Sequence, residues 1–156
     1  MRIPRLAALA LLLAAVCGSH AGEKAPRLVL TVHAEADSRD GKFARPIELH
    51  YAQRSAYISV GPDITDRDVI DVIPFAAKDG TQGAYLRLGP SGRLALTAVS
   101  QSKLGKAMVI FVNGRQIADL HIDRRIEDGI LPIPSGLTAL EIAELQKRAE
   151  ANRKKP

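Results

Sequence analysis

The segment 105–122, GKAMVIFVNGRQIADLHI, constrains the fold more than any other part of the chain. Its first half, Lys106–Asn113, is apolar on both faces of an extended strand, which is typical of a strand in the middle of a sheet, covered on both sides. Asn-Gly at 113–114 follows, and this dipeptide favours a type I′ turn, in which both central residues have positive φ. We therefore predict a two-residue hairpin with Val112 opposite Arg115 and a returning strand to Ile122.

The N-terminal part predicts further strands. Arg27–Asp37 alternates apolar and polar residues, which indicates a half-buried strand, and SRDGK at 38–42 indicates a turn. Two short strands, IELHYA and AYISV, are predicted within 47–60 and are separated around Gln53-Arg54. Gly83–Leu88 is predicted as a strand.

Two helical segments are predicted before the hairpin. In Ile64–Val69 a short helical turn begins with Thr65 as its N-cap, and Pro74 prevents it from continuing far. A longer helix starts with Pro90 at its first position, and Gly105 is its predicted left-handed cap.

The C-terminal part contains a strand and a helix. Ile130–Ile133 is a brief strand, and Pro132 predicts an edge position or a strand end. The last helix is marked by a capping box formed by Thr138 and Glu141, with a hydrophobic staple from Leu137 to Ile142. Its predicted buried stripe comprises Leu140, Ile142, Ala143, Leu145 and Ala149.

These elements predict one α+β domain over residues 27–150, with a mixed or antiparallel sheet and two main helices packed on it. Residues 151–156 are predicted to be a basic, frayed tail.

The first 21 residues predict a secretory signal peptide. Arg2 and Arg5 precede an uncharged run of eleven residues, Leu6–Val16, and Ser19-His20-Ala21 supplies small residues for cleavage. A polar leader, 22–26, would follow. The alternative is lipoprotein processing at Cys17, which the bulky Val16 before it disfavours. We therefore predict a periplasmic or secreted protein that contains no cysteine once it is cleaved after Ala21.

Charge and aromatic content argue against a nucleic-acid partner. Residues 22–156 hold 20 basic and 17 acidic residues, a net charge of +3, and much of the excess lies near the C-terminus. The chain has no Trp and only three Phe and three Tyr, whereas single-stranded nucleic acid is bound by basic grooves with stacked aromatics. After residue 21 no segment is apolar for long enough to span a bilayer.

No group of residues predicts catalysis. His33, Glu35 and Asp37 share one strand face and could hold a metal, but alternation alone already explains a polar face. His50 and His121 lack ligand neighbours, and no Gly-x-Ser-x-Gly motif surrounds the serines. Helix starts and turns explain the acidic pairs Asp66/Asp68 and Glu127/Asp128. The glycines 89, 92 and 105 are too widely spaced for a phosphate loop. We therefore assign no catalytic, metal or cofactor site, and the binding residues stay unassigned.

From Ile64 onward, five stretches follow one another: ITDRDV, GAYLRLGPSGRLAL, LGKAMVIFVNGRQIADLHI, IEDGILPI and GLTALEIAEL. Over about residues 64–148 this order resembles the head of the first periplasmic domain of SecD, a membrane subunit of the protein-export machinery. The matching positions are Gly92, Gly105-Lys106, Gly114, Gly129, Thr138 and Glu141. The resemblance implies the α+β fold of that head and a role in handling exported polypeptide chains.

The departures limit what the resemblance implies. SecD couples proton flow to export through a transmembrane bundle that this sequence does not show, so the motor activity does not transfer. Asn113 stands where the family has Asp, and Ala118-Asp119 stands where Ala-Pro is expected. Residues 27–60 lie outside the resemblance.

We predict a non-enzymatic envelope protein that binds another protein or an extended polypeptide, with an edge such as Ile130–Ile133 available for strand addition. The alternative is a periplasmic protein that binds a small molecule or an envelope polymer in a pocket between sheet and helices. The third hypothesis is that the protein is an enzyme. The sequence names neither the partner nor the oligomeric state.

Overall fold

The computed structural model describes residues 27–154, and the elements along them confirm the predicted α+β class. The predicted signal peptide, the polar leader, Cys17 and the last two residues lie outside the described residues. No helix within 27–154 is long and apolar enough to cross a membrane. In chain order the elements are β1 (Leu30–Ala36), β2 (Ala44–Leu49), β3 (Arg54–Ser59), β4 (Ile64–Thr65), β5 (Val69–Ala76), β6 (Gln82–Leu88), α1 (Pro90–Ser102), β7 (Ala107–Val112), β8 (Arg115–His121), β9 (Ile130–Leu137) and α2 (Ala139–Arg153).

The strands form two antiparallel sheets. The larger has the order β2-β3-β1-β7-β8, with the short β4 beside β1, and the smaller has the order β5-β6-β9. The sequence predicted a single sheet, so the division into two is a correction. The smaller sheet includes β5, an edge strand that the sequence analysis did not predict and that contains Pro74.

The hairpin predicted at 113–114 is confirmed. Asn113 and Gly114 have φ of 52° and 77°, and Val112 pairs with Arg115. All six residues of β7 are buried between β1 and β8, as the two apolar faces predicted. The Asn113 side chain also holds the turn against the segment before β1, because its Oδ1 accepts a hydrogen bond from the Val29 N–H at 3.0 Å.

The predicted turns and strands of the N-terminal part are confirmed with small shifts. SRDGK lies in a 3₁₀ turn, Ser38–Phe43, and the two short strands form the β2–β3 hairpin. Thr65 caps a 3₁₀ turn at Asp66–Asp68, and its capping box with Asp68 is complete.

Both main helices differ from prediction at one end. Helix α1 stops at Ser102, not at Gly105; Gly105 does have positive φ, 79°, but it lies in the following turn and its N–H donates to Ile122 O at 2.8 Å. Helix α2 continues through Arg153, into the range 151–156 that the sequence analysis assigned to a basic tail. The Asn152 amide donates to Asp66 O and Val69 O, each at 2.8 Å, and fixes this last turn.

The capping box of α2 is confirmed, but its predicted stripe is too wide. Ile142, Leu145 and Ala149 are buried, whereas Leu140 is 72% exposed and Ala143 is exposed. Leu140 precedes Ile142 by two residues and therefore lies about 160° away around the helix, on the solvent side.

The buried residues form two cores. The main core joins one face of the larger sheet to the inner face of the smaller sheet and to both helices. The second lies on the opposite face of β7, where the β2–β3 hairpin curls back over the sheet. Its members are Leu49, Ala56, Ile58, Ala107, Val109 and Phe111, with Ile47 packed against them.

Candidate binding surface

The strand face with His33, Glu35 and Asp37 is used for structure. His33 is buried, with Nδ1 2.8 Å from Ser59 O and Nε2 3.1 Å from Thr31 Oγ1. Asp37 accepts hydrogen bonds from Arg39 at the start of its turn. Among residues 27–154 no three His, Cys, Asp or Glu side chains are grouped as metal ligands would be.

Glu35 forms an ion pair that joins the β2–β3 hairpin to the rest of the sheet. Its carboxylate accepts two hydrogen bonds from Arg54, at 3.0 and 2.7 Å, and a third from the Ala107 N–H at 2.9 Å. Burial raises the pKa of Glu35, but these hydrogen bonds and the charges of Arg54 and Lys106 outweigh it, so the pKa lies below its usual value. The ion pair of Glu35 and Arg54 therefore has a structural role.

Asp119 has a structural role that the sequence did not predict. Its carboxylate is buried on β8 and accepts four contacts of 3.1 Å from three successive backbone N–H groups, those of His50, Tyr51 and Ala52. These N–H groups form the tip of the β2–β3 hairpin. The only sequence signal was Asp119 itself, at a departure from the SecD pattern; its partners are about 68 residues earlier and could not be inferred.

Structural partners also exist for three other polar residues, Ser100, Asp66 and Asp128. Ser100 is buried, donates to Thr97 O and accepts the Ile126 N–H, so it holds the loop before β9. Asp66 accepts a 2.7 Å hydrogen bond from Arg148 on α2. Asp128 accepts the Ile130 N–H at 2.9 Å. His50 and His121 are exposed.

One face of the smaller sheet is apolar, and no element within residues 27–154 covers it. Ile73, Tyr85 and Pro132 are neighbours in register across β5, β6 and β9, and Ile73 and Tyr85 are each 48% exposed. Phe75 and Ile130 extend this row along the strands. We call these five residues the outer face.

The outer face is organised by a glycine. A Cβ at Gly83 would overlap the ring of Phe75 and would stand 2.7 Å from Pro134 O. The absence of a side chain therefore lets the Phe75 ring lie over β6, with its centroid 5.1 Å from that of Tyr85. The two aromatic rings form one continuous surface. At one end of this surface, Asp71 and Arg87 are paired in register.

The edge predicted for strand addition, Ile130–Ile133, lies in β9, which is an edge strand as predicted. It offers few backbone donors. Pro132 has no N–H, and the Ile130 N–H is already bonded to Asp128. The outer face is therefore the better candidate for a binding surface than this edge.

Two open depressions lie beside the start of α1. One, of about 540 Å³, is lined by residues that include Ile70, Arg93 and Leu94, and the other, of about 510 Å³, by residues that include Arg67 and Ser91. No side chain caps the N-terminus of this helix. These depressions are the candidate sites for the alternative prediction, binding of a small molecule.

No family model matches this sequence, and no curated protein matches it. Solved structures of SecDF do match in fold. One is SecDF in a super-membrane-facing form, and another is SecDF described as a membrane component that enhances protein export; each has a TM-score of 0.56 and 17% sequence identity. Each match covers 80% of this chain, but 19% of the first SecDF chain and 63% of the second. At this identity the similarity establishes the fold, and it extends beyond the segment 64–148 indicated by the motifs.

Proposed function

We propose that this chain is an exported binding protein that holds an apolar segment of another polypeptide on the outer face and catalyses no reaction. The observation that carries the proposal is the row Ile73, Tyr85 and Pro132, which is aligned across three strands and is not covered by any other part of residues 27–154. Contiguous exposed apolar surface of this kind marks interaction sites more often than isolated exposed residues do.

The fold and the predicted targeting support the same proposal. SecDF, which has the same fold in part of its chain, is described as enhancing protein export. The signal peptide predicted for residues 1–21 would place this domain in the envelope, where exported chains are still unfolded and expose apolar segments.

The expected affinity is low. Ile73 and Tyr85 are already about half covered, so completing their burial contributes roughly 1 kcal/mol each. Association also loses translational and side-chain freedom, so we expect a dissociation constant in about the micromolar range or weaker. Such binding is reversible, as a protein that handles passing chains requires.

The proposal is tested by Tyr85→Lys and Ile73→Lys, each placing a charge on the outer face. The probe is a fluorescently labelled exported protein kept unfolded by reduction of its disulfides, and anisotropy gives the dissociation constant. We expect each variant to weaken binding about tenfold, because an ammonium group must be desolvated against an apolar segment. Leu140→Lys on α2 is the matched control, since Leu140 is apolar and 72% exposed but lies on a helix.

Equal affinity for all three variants would exclude the outer face as the binding surface. Binding should also change little when salt rises to a few tenths molar, because the net charge of residues 22–156 is only +3. A steep loss of affinity with salt would instead indicate an anionic polymer.

The second candidate function, binding of a small molecule or an envelope polymer, is favoured by the two depressions beside α1. Leu94 lines one of them and is 72% exposed. Ligand binding that Leu94→Lys abolishes and Tyr85→Lys leaves intact would establish this function in place of the first.

A further inference from the structure

We propose that the outermost strands of both sheets are obstructed against added β-strands, so that this domain recognises partners through side chains on its faces and not through main-chain pairing. The inference is independent of the outer face, because it concerns backbone groups alone. Alternate residues of an antiparallel edge strand point their N–H and C=O groups outward, and a run of such free groups is the template for strand addition.

On β9 the outward positions lack free donors. Pro132 pairs with Tyr85 and has no N–H, so positions 130 and 132, which lie within the regular register, point outward. Pro134 again has no N–H. The Ile130 N–H donates to Asp128 Oδ1 at 2.9 Å. Beyond the register shift that follows Ile133, the Gly136 N–H is bonded on the β6 side, to Thr81 Oγ1 at 2.7 Å. An incoming strand would find no free N–H at positions 130, 132 and 134.

On β5, the opposite edge of the smaller sheet, the same pattern recurs. Pro74 pairs with Ala84 and has no N–H, which makes positions 72 and 74 outward. The Val72 N–H is bonded to Asp71 Oδ1 at 3.0 Å. Arg153 on α2 donates to Ile70 O at 3.2 Å, so the start of this edge is also covered by a side chain.

The larger sheet closes its two edges against each other. On β2 the outward Pro46 has no N–H, and the Ala44 N–H bonds Gly41 O. The curl of the sheet brings this edge toward β8, where Gln116 Nε2 donates to Glu48 O at 3.2 Å. Asp119 on β8 holds the hairpin tip through its four N–H contacts.

Prolines therefore lie on three of the four outermost strands, at outward positions where a donor would otherwise be free. Proline at such positions blocks edge-to-edge association. In this domain the apolar outer face lies between two such edges. A polypeptide can therefore contact that face without extending the sheet, and two copies of the domain cannot join their sheets edge to edge.

The test restores donors on β9 with Asp128→Ala, Pro132→Thr and Pro134→Thr combined, which frees N–H groups at positions 130, 132 and 134. Sedimentation velocity over a wide concentration range measures self-association, and hydrogen exchange measures protection of the β9 amides. We expect the variant to form dimers and larger species in which the new amides are protected, while the unsubstituted protein shows no such change. Pro62→Thr is the matched control, because Pro62 is exposed in a loop.

A folded variant that stays at the oligomeric state of the unsubstituted protein over the same range would overturn the proposal, as would equal association of Pro62→Thr. Circular dichroism establishes folding. If the combined variant unfolds, Pro46→Thr and Pro74→Thr repeat the test on the other edges, and the absence of association in both would be equally decisive. No partner polypeptide is used, so the result does not depend on the proposed function.

Discussion

At the scale of the residue, Asp119 shows how one carboxylate determines a tertiary arrangement. It satisfies three consecutive backbone donors at the hairpin tip and thereby holds β2–β3 over the second core. The N–H groups of a tight turn otherwise need water as acceptor, and here the buried carboxylate of Asp119 takes that place.

We expect Asp119→Ala to lower the free energy of unfolding by about 3 kcal/mol, because three backbone N–H groups lose a charged acceptor and are left partly buried. Asp123→Ala, in the exposed loop just after β8, should change it by less than about 0.5 kcal/mol. Urea unfolding measures both values. Similar values for the two variants would mean that the hairpin tip finds other acceptors.

At the scale of the element, the Asn113-Gly114 turn is the clearest case of local sequence determining local structure. Gly114 has φ of 77° and an added Cβ would meet no atom within 4 Å, so backbone conformation and not space requires glycine there. The turn fixes the register of β7 and β8, the strands that support both cores.

Gly114→Val should therefore destabilise the fold by about 1 kcal/mol or more, because a β-branched residue resists positive φ. Gly61→Val is the comparison: Gly61 also has open space around it but no left-handed φ. A calorimetric melting temperature that falls for Gly114→Val alone would support the conformational reason; equal shifts would indicate that side-chain size is responsible.

The elements that the sequence predicted are those specified by short-range chemistry. Thr65 and Thr138 cap their helices as their spacing to Asp68 and Glu141 requires, and β7 is recognisable from two apolar faces. Strand β5 and the outer face were not predictable in the same way. The exposed position of Ile73 depends on which face of a strand meets the main core, and that is decided by distant elements.

At the scale of the whole molecule, two glutamates with largely covered side chains connect distant segments. Glu35 joins β1 to Arg54 on β3, and Glu141 at the start of α2 joins Arg115 on β8 at 2.9 Å. The side chains of both glutamates are 13% exposed, so solvent screens these pairs less than it screens surface pairs. The stability of the assembled sheets and helices should therefore depend on pH.

The sign of that dependence follows from the pKa values. Burial raises the pKa of both glutamates, but hydrogen bonds from Arg54 and Ala107 to Glu35, and from Thr138 and Arg115 to Glu141, bring each below the ordinary value of 4.5. A group whose pKa is lower in the folded state stabilises the fold above its unfolded pKa. We therefore expect the free energy of unfolding to be constant near neutral pH and to fall as the pH drops through 4.5 and below.

Urea unfolding at several pH values measures this dependence, and Glu35→Gln combined with Glu141→Gln identifies its source. The double variant should be less stable near neutral pH, because both ion pairs are lost, and its stability should fall less steeply in acid, because two of the groups that bind protons on unfolding are absent. Glu150→Gln, with an exposed side chain on α2, should retain the original slope. If the double variant kept that slope as well, the acid sensitivity would arise from other carboxylates, and the two glutamate pairs would contribute packing and hydrogen bonds alone.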